Sequence, residues 1–88
     1  MDTQAKNRLK EEALRRMRWR LWFAFRDSKY TQFRQLDGRG KLNPNYQTIK
    51  EYCLKHWGKE IKDMTEKELA DRIAIVLKWK DQGLRPSY

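Results

Sequence analysis

AKNRLKEEALRRMRWRLWFAFRDSKYTQFRQL, residues 5–36, contains neither glycine nor proline. Those two residues are the strongest local interrupters of a helix, so the stretch reads as one long helix ending at Leu36. At about 100° per residue, Leu9, Ala13, Leu14, Met17, Leu21, Trp22, Ala24, Phe25, Phe33 and Leu36 spread over more than half the circumference. So wide an apolar stripe suits a helix contacted by two others rather than the seam of a two-stranded coiled coil. Trp19, Phe23 and Tyr30 fall on the opposite side, among Arg8, Arg15, Arg16 and Arg26. Glu11–Arg15 and Glu12–Arg16 are spaced i,i+4 in the favourable orientation, which supports the helix and partly neutralises two arginines. Arg8, Arg18, Arg20 and Arg26 lack such partners. A helix of this length spans roughly 48 Å. Its first turns should therefore overhang the shorter elements that follow, and an overhang must fray, dimerise or lie on a partner.

Downstream, two shorter helices are expected to cover the apolar side. Asp37-Gly38-Arg39-Gly40 supplies the left-handed backbone of a helix exit. Asn43 as N-cap and Pro44 at the first helical position then open a second helix over 44–57. It carries Tyr46, Ile49, Tyr52, Cys53, His56 and Trp57 on one face, and Gly58 stops it. Lys59–Asp63 is a short link with Ile61 turned inward. Thr65 and Glu68 have the spacing of a capping box, and Met64 and Leu69 that of a hydrophobic staple. They start a third helix over 66–82 whose core face is Leu69, Ala70, Ile73, Ala74, Val76 and Leu77. Gly83 ends it, Leu84 adds an apolar contact and Pro86 prevents continuation. Ile75 and Trp79 lie on its other side, available to the first helix or to a partner. The expected fold is all-α, one long N-terminal helix packed by a pair of shorter helices, in a single domain over 1–88.

Composition narrows the function classes. Eighty-eight residues make one domain, and a chain of that size buries only roughly 60–65% of its unfolded surface. Four Trp, four Tyr and three Phe enlarge a modest core. The single cysteine, Cys53, excludes an internal disulfide and fits a reducing, cytoplasmic setting, as an apolar filler or a nucleophile. No apolar run approaches the length of a membrane span, and the first residues do not resemble a secretory signal. The net charge of +9, from 21 Lys+Arg against 12 Asp+Glu, exceeds what solubility asks of a small domain. It points to a polyanionic partner, nucleic acid or an acidic protein, with a generic solvated basic surface as the plain alternative. An anionic membrane face is disfavoured, because the later helices need the apolar side of the first.

Little in the chain suggests catalysis. Zinc takes about four nitrogen or sulfur ligands, and Cys53 with His56 supplies two, so a site would need a second chain. No serine has a base partner, since the only histidine, His56, is placed at a helix end. Glu66 and Glu68 are accounted for by the capping box and the helix dipole. Asp37-Gly-Arg-Gly-Lys41 is basic and glycine-rich but lacks the strand and ending of a phosphate loop. No enzyme activity, metal or cofactor is expected. What survives is a basic, aromatic surface, because Arg and Lys hold phosphates and exposed rings stack on bases. On the first helix the candidates are Arg8, Arg15, Arg16, Trp19, Arg20, Phe23 and Arg26. Near the second junction they are Lys59, Lys62 and Lys67, beside a helix N-terminus whose amides favour phosphate. Alternatively Trp19 and Phe23, with Ile75 and Trp79, form a protein interface, in a homodimer or against an acidic partner.

Arg18, Leu21 and Trp22, then Ile49, Tyr52 and Gly58, then Met64-Thr65-Glu66, Ala70, Ile73, Leu77 and Lys78-Trp79 resemble the C-terminal half of the GemA family, small regulatory proteins of Mu-like phages. The likeness covers roughly residues 15–80. It implies a phage- or prophage-derived protein associated with DNA topology or host gene expression, and it identifies no catalytic residue. Trp57-Gly58 to Leu77 is also similar to the SAP-type helix-extended-helix DNA module.

Overall fold

In the computed structural model the backbone is described for residues 2–80 and the side chains for residues 7–80. Helix α1 runs Asp2–Arg26 and stops well short of Leu36. The stop is made by side chains rather than by glycine or proline. The buried Ser28 hydroxyl donates to the Phe25 carbonyl at 2.8 Å, competing with the helical ladder as serine does. Arg34 then reaches back, its Nη1 donating to the carbonyls of Ser28 at 2.7 Å and Arg26 at 3.2 Å. The last carbonyls of α1 thus find donors other than the next helical turn.

After a single 3₁₀ turn, Thr31–Phe33, the chain forms β1 (Arg34–Leu36) and β2 (Leu42–Pro44), paired antiparallel with Gln35 opposite Asn43. Asp37 organises the turn between them. Its Oδ1 accepts the amides of Arg39 at 2.8 Å and Lys41 at 2.9 Å, and its Oδ2 accepts Asn43 Nδ2 at 3.2 Å. These donors, the Lys41 amide first, hold the Asp37 carboxyl below its ordinary range. Gly40 adopts the left-handed φ of 78° that the turn requires. The segment expected to close the first helix is therefore a hairpin.

Helix α2 spans Tyr46–Trp57 and is capped by Asn45, not Asn43; Asn45 Oδ1 accepts the Thr48 amide at 3.3 Å. Pro44, expected in its first turn, is instead the buried last residue of β2, a position where its missing N–H is tolerated. Gly58 ends α2 at φ 72° as expected. A 3₁₀ turn, Ile61–Asp63, leads to α3 (Glu66–Leu77), which opens with the expected capping box between Thr65 and Glu68. Helix α3 ends at Leu77, short of the expected residue 82, with Lys78–Lys80 in a turn; Gly83, Leu84 and Pro86 lie outside the described residues.

The architecture is all-α in class: a long N-terminal helix packed by two shorter ones, with a small hairpin at its C-terminal end. The core is built from Leu21 and Phe25 of α1, Phe33, Ile49 and Cys53 of α2, Ile61, Met64, and Leu69 and Val76 of α3. Two expectations about faces are corrected. Helix α3 is rotated so that Trp79, in the turn just past its end, packs against the core while Ala70 and Ala74 are exposed and Leu77 is 54% exposed. Burying an indole removes far more apolar area than burying two alanines. At the other end of the apolar stripe Leu9 and Ala13 stay open to solvent, since the overhanging turns of α1 reach past what the short helices cover. The molecule measures 51 × 29 × 25 Å.

Candidate nucleic-acid interface

Residues 8, 15, 19, 23 and 26 succeed one another at helical spacings of seven, four, four and three, so they share one face of α1. Arg8, Arg15, Trp19 and Phe23 are exposed on it and Arg26 is half-buried. Trp19 and Phe23 are stacked, with centroids 5.7 Å apart and planes inclined by 27°. The Arg26 guanidinium lies over the Phe23 ring, 4.7 Å from its centroid, a cation–π contact. At the other end Tyr46 of α2 meets Trp19 edge-on at 6.5 Å and Trp22 at 5.0 Å. A row results: Tyr46, Trp19, Phe23, Arg26. Its three rings are 39%, 43% and 40% exposed in that order.

The charges around the row are unevenly occupied. Arg26 Nε is 2.8 Å from Asp27 Oδ1. Arg16 meets Glu12 only at 3.8 Å, with both groups in solvent, a contact worth a few tenths of a kcal/mol. Glu11 and Arg15 do not form the ion pair their spacing permits. Among the described residues Arg8, Arg15 and Arg20 have no carboxylate partner. Arg18 is turned toward the body, its Nε shielded and without a hydrogen-bond partner.

The lysines assigned to the second junction behave differently. Lys59 Nζ is 3.0 Å from Glu68 Oε1, and Lys62 Nζ is 3.6 Å from Glu60 Oε2. Of these three lysines, only Lys67 is exposed without an ion pair to the described residues. Glu68 accepts the Thr65 amide at 2.8 Å, and Thr65 Oγ1 accepts the Glu68 amide at 3.2 Å. Those backbone and lysine donors, the Thr65 amide first, pull the Glu68 carboxyl down to about 2. The α3 N-terminus already holds a carboxylate where a phosphate was expected. Glu66 and Asp63 stand in the same first turns and would repel an anion.

The protein-interface set also divides. Trp19 and Phe23 are at the surface, Ile75 is half-buried, and Trp79 packs against the core. Its ring lies 5.5 Å from Tyr30, 5.6 Å from Tyr52 and 5.9 Å from Phe25, and its carbonyl accepts the Lys29 amide at 2.9 Å. Trp79 is therefore half-buried against the core, with only part of its surface open to a partner. Of the two metal-type residues, Cys53 is fully buried and His56 is exposed against the Tyr52 ring at 4.2 Å. Burial pushes the Cys53 thiol up to about 12, which disfavours the thiolate that a nucleophile needs.

Three features were missed from sequence. Tyr46 extends the aromatic row, although its spacing placed it with the core face of α2. Arg34 and Lys80 join Arg26 around a cleft of about 520 Å³ with Leu36, Leu42 and Asp27. A second groove, about 420 Å³, runs between α1 and α3 and is lined by Arg20, Phe23, Ala24, Asp27, Ile73, Val76, Leu77 and Lys80. A hairpin-forming signal at residues 34–44 would have placed Tyr46 beside α1. Nothing local marks Arg34 or Lys80. No helix among the described residues is long and apolar enough to cross a membrane. Comparison with known proteins finds no matching family model, no similar curated protein and no similar solved structure.

Proposed function

We propose that this chain is a non-enzymatic accessory or regulatory protein, phage- or prophage-derived and cytoplasmic, that binds nucleic acid through the basic face of α1. One observation carries the reading. Arg8, Arg15 and Arg20, without carboxylate partners among the described residues, surround a stacked Trp19–Phe23 pair left two-fifths exposed on a chain of net charge +9. Exposed rings of this size cost stability unless something covers them. Unpaired guanidinium groups on the same face specify something negatively charged. The contacts are mainly to phosphate and carry little sequence preference. The GemA-like residues of the chain, from Arg18 to Trp79, support the phage setting. Lys59 and Lys62 contribute less than the α1 arginines, since carboxylates of this chain already hold them.

The test is a titration with duplex and single-stranded oligonucleotides at about 50 and 200 mM salt. Releasing several condensed counterions makes affinity fall by orders of magnitude between those conditions. Negligible binding at both would remove the reading.

The groove between α1 and α3 favours a second reading, a protein-interaction module. Phe23, Ala24, Ile73, Val76 and Leu77 give it an apolar lining of the kind that accepts an amphipathic helix. An acidic partner fits better than a homodimer, because two copies each carrying +9 repel. Light scattering separates the cases: a dimer dissociated by Leu77→Asp would favour self-association through this groove.

A further inference from the structure

Taking the nucleic-acid reading of α1 as its premise, we infer that the Tyr46–Trp19–Phe23–Arg26 row is a seat for unpaired bases, so that the preferred ligand is single-stranded. The geometry separates this from two other uses of surface aromatics. A wedge that opens a duplex step projects alone from its surface. Here Trp19 leans on Phe23 at 5.7 Å, Tyr46 closes on Trp19 edge-on and Arg26 covers Phe23 at 4.7 Å. The rings form a continuous, partly exposed row along the helix, not a lone blade. A groove-reading helix, in turn, presents polar side chains to base edges, and the centre of this face is apolar.

A row of exposed rings has a stacking partner in nucleic acid only where a base is unstacked. In a duplex every base face is already covered, and the rings would meet sugar and phosphate edges alone. In a single strand each base offers a face to a ring, and stacking of this kind tolerates any sequence. The charges are placed to match. Arg8 and Arg15 lie N-terminal to the ring pair and Arg26 C-terminal to it, so cations flank the rings along a face roughly 27 Å long. A strand laid along α1 would thus meet guanidinium groups, then rings, then a guanidinium. Arg26 can stay over Phe23 or swing to a phosphate, as its 2.8 Å partner Asp27 is exposed and weakly held.

The experiment compares three ligands of equal length at one ionic strength: an oligothymidylate, the same strand with abasic spacers in place of bases, and a duplex. The base-bearing strand should bind about ten-fold tighter than the abasic strand, a usual return for stacking. Trp19→Ala should erase that ratio while lowering affinity for the abasic strand far less, with the variant still folded by circular dichroism under the assay conditions. Trp19→Phe should keep most of it. Equal, salt-sensitive binding of the base-bearing and abasic strands would overturn the inference while leaving phosphate binding standing. Tighter binding of the duplex would overturn it also. Binding of none of the three would end both this inference and its premise.

Discussion

Phe25 and Phe23 stand two residues apart on α1 and lead opposite lives. Phe25 is fully buried and surrounded by Phe33, Tyr52, Trp57 and Trp79 at centroid distances of 4.8 to 6.0 Å. These rings come from α1, the first 3₁₀ turn, α2 and the turn just after α3, so the inner cluster ties the three helices together. Phe23 touches a ring of its own helix and a guanidinium, and 40% of it faces solvent. Most of the inner rings meet in edge-to-face pairs, which add to the area they remove from water. The outer rings are interleaved with arginines that this chain mostly leaves without counter-charge. Residue type therefore does not distinguish a core ring from a surface ring here; the surroundings of each ring do.

The contrast predicts a sharp difference between neighbours. Phe25→Ala should cost about 3–5 kcal/mol, as for a large aromatic removed from a packed core, a sizeable share of a small domain's total stability. Trp19→Ala should cost about 1 kcal/mol or less, the scale of a surface ring pair. Urea unfolding followed by circular dichroism measures both. Similar losses in the two variants would break the contrast, and the outer row would then be part of the fold.

A smaller effect sharpens the boundary between the clusters. Arg34→Ala removes the guanidinium whose Nη1 donates to the Arg26 carbonyl at the end of α1 and to the Ser28 carbonyl just beyond it, and should cost about 1–3 kcal/mol. Because Arg34 is not in the outer row, affinity for an oligonucleotide should change far less than stability does.

The smallest effect is expected at the second junction. Glu68 has its carboxyl lowered from 4.5 to about 2. Its charge therefore favours the folded state above about pH 4.5, and that contribution disappears as pH falls toward 2. Glu68→Gln keeps an acceptor for the Thr65 amide but gives up the charge facing Lys59. The variant should be slightly less stable at pH 7 and indistinguishable from the parent near pH 2. A stability gap that persists at pH 2 would mean that the lysine contact is not the cause.

What was legible in the sequence follows from how local its signals are. The Thr65–Glu68 box and the Gly58 stop need only a few consecutive residues, and both are formed as expected. The basic-aromatic face of α1 was legible because one helix carries it. The end of α1 was not, because Ser28 bonds within its own turn while Arg34 reaches back from a strand, and glycine and proline mark neither event. The run Asp27-Ser28-Lys29-Tyr30-Thr31 is poor in strong helix formers, and that weak signal was present. Rotation of α3 was ambiguous because rows through Leu77 and through Trp79 both include Leu69 and Val76. Only the aromatic cluster contributed by the other helices decides between them. Tyr46 joined the outer row through the hairpin, so it was hidden for the same reason as the helix end.

The central claim is that the α1 arginines lacking carboxylate partners, not the lysines before α3, carry the phosphate contacts. The most direct test is the slope of log affinity for an oligonucleotide against log salt, measured for the parent chain and for Arg8→Gln/Arg15→Gln/Arg20→Gln. The parent should show a slope of several units, and the triple variant should lose about two to three of them, close to one per phosphate contact removed. An unchanged slope in the triple variant, with Lys59→Gln/Lys62→Gln/Lys67→Gln lowering it instead, would contradict the account.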